Sequence, residues 1–155
     1  MLRFLPISTA EVQTLRNGYD ANQQPPEFSI SDGGGVPCRH CLDEVTEGQP
    51  LLTLAYRPFK HIQPYAELGP IFLHANDCAP WSAENRPPVI ENRSRLLIRG
   101  YSDQERIVSG TGRNVSLTEL DSALDETMAV EEVSYIHIRC EGNNCYLCRV
   151  EPGLA

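Results

Sequence analysis

The sequence is poor in basic residues, and above all in lysine. Lys60 is its only lysine, and 13 basic residues against 21 acidic ones among 155 residues give a formal net charge of −8. The other basic residues are arginines, which are scattered and are enriched only between residues 86 and 99. A nucleic-acid-binding protein needs a basic face that displaces counterions from the phosphates. We therefore expect no nucleic-acid partner.

Long apolar runs are also missing. No segment reaches the roughly 18 apolar residues that a membrane-spanning helix requires. Residues 1–8 lack the apolar stretch and the small-residue cleavage site of a signal peptide. We expect a cytoplasmic protein without a membrane partner. Its six cysteines would then be mostly reduced, and paired cysteines in a reducing compartment more often indicate metal or redox chemistry than disulfides.

Two common catalytic motifs are absent as well. The three consecutive glycines at 33–35 are not followed by the Gly-Lys-Ser/Thr of a phosphate-binding loop, and no strong strand precedes them. No Gly-x-Ser-x-Gly sequence occurs, so nothing supports a serine hydrolase.

The patterns that are present predict short elements. The 12 prolines and 11 glycines favour many turns. Capping boxes at Ser8–Glu11 and Ser116–Glu119 begin two helices. The predicted strands cover residues 1–7, 51–56, 70–74, 95–101, 106–108, 133–140 and 145–150, and the predicted loops include 23–35 and 77–88.

Most of the predicted strand connections are too short for parallel crossovers. The sequence therefore predicts an α+β fold, with a mainly antiparallel sheet of about six to eight short strands and two helices. Its length is typical of one domain, so we expect a single domain over residues 1–155.

Five segments carry a family resemblance. They are Pro-Cys-Arg-His-Cys-Leu at 37–42, Leu-Ala-Tyr-Arg-Pro-Phe at 54–59, Pro-Tyr-Ala-Glu-Leu-Gly-Pro-Ile-Phe-Leu-His at 64–74, Ile-Arg-Gly-Tyr at 98–101 and Tyr-Ile-His-Ile-Arg at 135–139. In these segments the chain resembles an uncharacterised bacterial family catalogued as domain of unknown function 1203. The resemblance covers nearly the whole chain. It implies a small bacterial protein and no particular activity.

The cysteines are the main chemical feature. Cys38 and Cys41 have the Cys-x-x-Cys spacing of half a zinc site, in a turn-rich context that suits a metal knuckle. Cys145-x-x-Cys148 repeats that spacing, but it lies far along the chain and in a predicted strand, where positions three apart point to opposite faces.

A second pair of ligands is available in His74-x-x-x-Cys78, which runs from the end of a strand into a loop. A zinc site made of Cys38, Cys41 and Cys78 with either His74 or Cys145 is sterically easier than two distant Cys-x-x-Cys pairs. A structural site would have four protein ligands, and a catalytic site would keep one position for water.

Other roles for the cysteines stay open. Cysteine is often simply buried. Cys140 and Cys145 flank the predicted four-residue hairpin loop 141–144 and would face each other at a distance that permits a disulfide. A basic neighbour such as Arg39 or His40 would favour a reactive thiolate at Cys38 or Cys41. Thioredoxin-like sites, however, continue into a long helix, and residues 42–50 are turn-rich instead.

A small-molecule or protein ligand pocket is the other hypothesis. Tyr56, Arg57, Tyr65 and Trp81, together with Glu67, are the polar and aromatic mix found in ligand clefts, although packing at the edge of the core is the alternative. His137, between two isoleucines of a predicted strand, is interpreted as a sheet-surface or partly buried residue.

Together these patterns favour a binding or accessory protein that zinc could stabilise, with no assigned catalytic residues. The alternative is a thiol-dependent or metal-assisted enzyme that uses Cys38, Cys41 and His74.

Overall fold

The structure is a computed structural model and describes residues 1–154. Within these residues the chain forms eight strands and three α-helices. The strands are β1 Leu2–Leu5, β2 Glu27–Ile30, β3 Pro50–Tyr56, β4 Gly69–His74, β5 Arg95–Tyr101, β6 Arg113–Ser116, β7 Tyr135–Cys140 and β8 Tyr146–Pro152. The helices are α1 Thr9–Asn17, α2 Pro88–Glu91 and α3 Leu120–Met128, and a 3₁₀ turn at Leu117–Glu119 leads into α3.

The strands of the described region form two antiparallel sheets. One has five strands in the order β1-β8-β7-β5-β6, and the other has three in the order β2-β3-β4. Every paired neighbour runs antiparallel. The predicted α+β, mainly antiparallel fold is therefore confirmed, with its strands divided between two sheets.

Both longer helices begin where the capping signals predicted. Ser8 caps α1, and its hydroxyl accepts a hydrogen bond from the backbone N–H of Glu11 at 3.2 Å. At the second signal the Glu119 carboxylate accepts from the backbone N–H of Ser116 at 3.3 Å. The first turn there is 3₁₀, so α3 itself starts at Leu120. The four-residue α2 was not predicted.

Two strand predictions were wrong. The predicted loop 23–35 contains β2, whose four residues are all exposed, so the strand has no hydrophobic alternation to reveal it. The predicted return strand at 106–108 forms only one isolated bridge, between Ile107 and Tyr101. Beyond that bridge the Thr111 hydroxyl accepts the N–H of Gly100 at 2.9 Å, and β6 provides the partner of β5 instead.

One face of the five-stranded sheet is covered by helices and forms the first core. Alternate residues of the central strands, such as Ile98, Ile136 and Ile138, point to this face and pack against Leu120 and Leu124 of α3. Val89 and Ile90 of α2 and the loop residue Trp81 complete it.

A second core lies between the three-stranded sheet, α1 and the segment 36–45. It includes Val12 of α1, Val45, and Leu54 and Leu73 of the sheet. Tyr146 of β8 also belongs to it and so joins the two cores.

A β-bulge sets the direction of Tyr146. Ile138 pairs with Cys148 whereas Arg139 pairs with Tyr146, so Leu147 is an extra residue in β8. Leu147 and Cys148 both pack in the first core, while Tyr146 turns to the opposite face beside His137. Among the described residues, no helix has the length and apolar character to cross a membrane.

Candidate metal centre

Cys38 and Cys41 lie on a tight turn at the tip of the segment 36–45. The backbone N–H of Cys38 donates to the carbonyl of Asp43 at 2.9 Å, and that of Leu42 donates to the carbonyl of Cys38 at 3.0 Å. Leu42 has a φ of 55°, in the left-handed region. This reversal brings the two thiols of the Cys-x-x-Cys motif to the same side of the turn, as a metal knuckle requires.

The turn is held against the end of β4. Cys38 forms a parallel bridge with Phe72, and the N–H of Arg39 donates to the Phe72 carbonyl at 3.2 Å. The N–H of His74 in turn donates to Sγ of Cys38 at 3.3 Å. These contacts place His74 and the loop after β4 directly beside the knuckle.

Four side chains meet at this point. The ligand atoms of Cys38, Cys41, His74 and Cys78 all lie within 4.8 Å of one another. Cys38 is fully buried, and the other three are half-buried. This Cys₃His group, made of three thiols and one imidazole, could hold a metal ion.

Two of the separations between ligand atoms are close to those expected for tetrahedral zinc. Zinc binds thiolate sulfur at about 2.3 Å and imidazole nitrogen at about 2.0–2.1 Å, so tetrahedral geometry separates two sulfurs by about 3.8 Å and a sulfur from a nitrogen by about 3.6 Å. Sγ of Cys38 and Sγ of Cys78 are 3.9 Å apart. Sγ of Cys41 and Nδ1 of His74 are 3.4 Å apart. Both pairs therefore need only small shifts to bind one ion.

Arg16 of α1 fixes the second half of the group. Its guanidinium donates to the carbonyls of His74 at 3.0 Å and Asn76 at 2.9 Å, and to Sγ of Cys78 at 3.6 Å. Its side chain is largely buried. Arg16 thus orders the loop that carries Cys78 and brings a positive charge next to the thiols.

His40 lies between the group and α1. Its Nδ1 is 3.2 Å from Sγ of Cys78, and its Nε2 is 2.9 Å from Oγ1 of Thr9. The backbone carbonyl of His40 also accepts from the N–H of Trp81 at 3.0 Å. His40 thus contacts Cys78 without belonging to the group of four.

The three thiols of the group affect one another's pKa values through hydrogen bonds. Hydrogen bonds from Cys41 and Cys78 lower the pKa of the Cys38 thiol. The same interactions with Cys38 raise the pKa of Cys41 and of Cys78. The group therefore stabilises its first thiolate at Cys38, the most buried of the three.

The remaining cysteines lie outside this group. All six cysteines have free thiols. Cys140 and Cys145 face each other across the β7–β8 hairpin, where the N–H of Cys140 donates to the carbonyl of Cys145 at 2.8 Å. Cys148 is fully buried in the first core, and burial raises the pKa of its thiol to about 12. Of the predicted metal ligands, Cys145 is the one that the structure does not bring to the cluster.

The predicted pocket residues have different neighbours. Tyr56 lines a cavity of about 180 Å³ together with Glu67. Arg57 donates to the Ala66 carbonyl at 3.3 Å, Tyr65 lies under the guanidinium of Arg106, and Trp81 packs on the first core.

His137 is buried, whereas the sequence predicted that it would lie on the sheet surface or be only partly buried. The rings of Tyr101, Tyr146, Tyr135 and Phe59 surround it at 4.6–5.3 Å. Burial, with nearby arginines, lowers the pKa of its imidazole well below the ordinary value.

Sequence reasoning missed Arg16 as a part of the metal group. The residue lies 22 positions before Cys38 and has only the periodicity of a surface helix residue, so no local signal connects it to the cysteines. His40 was considered only as a basic neighbour of the thiols, although its place inside the Cys-x-x-Cys motif could have suggested a supporting contact.

Comparison with known proteins gives a family and no activity. A search of curated proteins and a search of solved structures each found no match. The profile of one family, described as a protein of unknown function (DUF1203), matches residues 35–152 and so includes all four residues of the Cys₃His group. The chain belongs to this DUF1203 family.

Proposed function

We propose that this protein is a zinc protein in which Cys38, Cys41, His74 and Cys78 hold one structural ion. The observation that carries the proposal is the convergence of the four ligand atoms within 4.8 Å. They come from two separate parts of the chain, the turn 36–45 and the end of β4 with its following loop.

Zinc suits this ligand set better than other common metals. Thiolates are soft ligands that favour zinc, copper(I) and iron–sulfur clusters, whereas magnesium and calcium prefer oxygen. A tetrahedral arrangement of three sulfurs and one nitrogen is typical of structural zinc sites.

The site is closed, which favours a structural role over a catalytic one. Four protein ligands complete a tetrahedron, and a catalytic zinc ion would need one position for water or substrate. Cys38 is fully buried, so its thiolate is also poorly placed to attack an external substrate.

The charges around the group fit this role. Three thiolates and a neutral imidazole around Zn²⁺ carry a net charge of −1. Arg16, which donates to Sγ of Cys78 and also pairs with the exposed carboxylate of Asp77, brings a positive charge to the group from a largely buried position. The ion would then connect the knuckle, the end of β4 and α1, all of which border the second core.

Metal content and thiol reactivity test the proposal together. The protein is purified without chelator and analysed by elemental mass spectrometry, and its thiols are alkylated before and after chelation. We expect one zinc per chain, with Cys41 and Cys78 alkylated only after chelation, since bound thiolates are protected. Protein without zinc, whose Cys41 and Cys78 react at once, would contradict the proposal.

A further inference from the structure

A second site is indicated by arginines that the metal group does not use. Arg139 on β7 is only 4% exposed. Its Nη1 donates to the carbonyl of Asn144 at 3.1 Å, while Nε and Nη2 have no hydrogen-bond partner among the described residues. Nη2 lies 3.1 Å from Oε1 of Glu67, without the alignment of a hydrogen bond.

Glu67 is shared between two arginines. The same Oε1 lies 2.6 Å from Nη1 of Arg99, whose Nη2 also donates to the side-chain carbonyl of Asn144 at 3.2 Å. Glu67 is partly exposed, so water weakens its effect on both cations. One carboxylate therefore serves two guanidinium groups, and Arg139 is the less well paired.

A second buried arginine lies beside Tyr146 of β8 and adds to this charge. Arg39 is 2% exposed and donates to the carbonyls of Tyr146 and Pro37 at 2.7 and 2.6 Å. It makes no ion pair within residues 1–154. Three arginines and one carboxylate leave a local charge of +2 in a chain whose net charge is −8.

Of these charged groups, Arg139 and Glu67 line one cavity. The cavity of about 180 Å³ is lined by Arg139, Glu67, Asn144, Cys145 and Tyr146 among others. Liquid water occupies about 30 Å³ per molecule, so the cavity has room for a ligand of roughly six non-hydrogen atoms. Pro58, Leu68 and Pro70 also line the cavity, and a mixture of apolar residues with a few polar groups suits a ligand that has one charged end and a short apolar body.

We propose that this cavity binds a small organic carboxylate, with the carboxylate group directed toward Arg139 and the side-chain amides of Asn143 and Asn144. A buried cation is stabilised when an anion pairs with it, and a guanidinium matches a carboxylate through two parallel donors. The residues that line the cavity are separate from the Cys₃His group, so the proposal does not depend on the metal.

Cys145 provides a direct probe, because it lines the same cavity. Iodoacetate is itself a small carboxylate, and iodoacetamide is its neutral counterpart. In both reactions the sulfur forms a bond to the methylene carbon, the carbon–iodine bond breaks, iodide leaves and the thiol proton goes to the buffer. The ratio of the two rates therefore reports attraction of the carboxylate, and peptide mass spectrometry measures it at each cysteine.

We expect the iodoacetate-to-iodoacetamide rate ratio at Cys145 to exceed that at Cys140 by about tenfold, in line with a charge-assisted hydrogen bond. Propionate should slow alkylation of Cys145, while propionamide should not. Equal ratios at the two cysteines, or equal protection by propionate and propionamide, would overturn the proposal. Protection by inorganic phosphate as strong as that by propionate would overturn the assignment to a carboxylate.

Two substitutions change the site in opposite directions. Arg139→Gln should reduce the ratio at Cys145 to that at Cys140, whereas Glu67→Gln should raise it, since the competing carboxylate is lost. Arg113→Gln, which removes an exposed arginine, is the control for net charge. Glu67→Gln keeps the test valid if Arg139→Gln fails to fold, and a ratio in Glu67→Gln that is unchanged or lower would contradict the proposal.

Discussion

Nδ1 of His40 lies 3.2 Å from Sγ of Cys78, and Nε2 of the same ring lies 2.9 Å from Oγ1 of Thr9. One imidazole thus connects a candidate zinc ligand to the first residue of α1. A side chain that hydrogen-bonds to a ligand orients it and adjusts its basicity without touching the metal. Because the ring reaches α1, the proposed zinc ion and the second core are physically connected through His40.

Replacing His40 should weaken metal binding without abolishing it. We expect His40→Ala to lower zinc affinity about 10- to 100-fold, the usual effect of losing a residue that supports a ligand, while still binding one ion at saturation. Competition with a chromophoric chelator measures the affinity. His61→Ala, in an exposed position, is the control. If His40→Ala instead bound far less than one zinc ion per chain at saturation, His40 would be a direct ligand.

Replacing a ligand should have a larger effect. Cys38→Ser, Cys41→Ser and Cys78→Ser should each reduce zinc from one ion per chain to far below one and lower the melting temperature, because binding free energy contributes to folding. Cys145→Ser should retain the zinc, since Cys145 lies outside the group. Elemental analysis and thermal unfolding measure both effects. Zinc retained in Cys38→Ser and lost in Cys145→Ser would contradict the ligand assignment.

Glu105 should stabilise the protein at neutral pH, and this stabilisation should be lost in acid. Burial raises the pKa of its carboxyl, but the N–H groups of Lys60 and His61 and the His61 imidazole outweigh that effect, so the pKa lies below its ordinary value. A lowered pKa in the folded state stabilises the protein above the unfolded pKa of about 4.3. This contribution is lost as the pH falls through the lower folded value.

The test is the difference between the wild type and Glu105→Gln. At pH 7 we expect the substitution to cost about 2 kcal/mol in free energy of unfolding, the magnitude for hydrogen bonds to a charged group. The difference should shrink as the pH falls below about 4. Urea unfolding of both proteins measures it, and metal loss at low pH affects both alike. Exposed Glu131→Gln is the control, and a difference independent of pH would contradict the account.

Gly100 on β5 should tolerate no side chain. A Cβ atom there would lie 2.8 Å from Cγ2 of Val133 and 3.1 Å from Oγ1 of Thr111, the hydroxyl that accepts the Gly100 N–H. We expect Gly100→Ala to destabilise the protein by about 1–3 kcal/mol through overpacking. Gly112→Ala, whose Cβ would lie 3.8 Å from Cγ of Arg99, is the control. Equal stability of the two variants in urea would argue against this packing.

Elements with strong local signals could be predicted from the sequence. The predicted strand at Arg95–Tyr101 has the bounds of β5, and the capping residues Ser8 and Ser116 marked the starts of helical structure. The edge strand β2 has no buried residue, so it lacks the alternation that reveals a strand. The partner of β5 was misplaced because Thr111 satisfies the Gly100 N–H through its side chain, and the ladder resumes only in β6.

The candidate metal site was predictable only in part, for a similar reason. Spacing identifies Cys38 and Cys41 as a pair, but the partners of the pair depend on which strand reaches the knuckle. The bridge from Cys38 to Phe72 brings His74 and Cys78 to it, whereas Cys145 lies on the β7–β8 hairpin. Such a contact between distant segments has no local pattern in the sequence.

X-ray absorption at the zinc edge tests the central claim most directly, because it counts the ligands of the bound ion. For the protein purified without chelator we predict three sulfur ligands at about 2.3 Å and one nitrogen at about 2.0–2.1 Å. His74→Ala should replace the nitrogen of imidazole with a water oxygen and leave the three sulfurs. A wild-type spectrum with fewer than three sulfurs, or with a fifth ligand, would contradict a closed structural site.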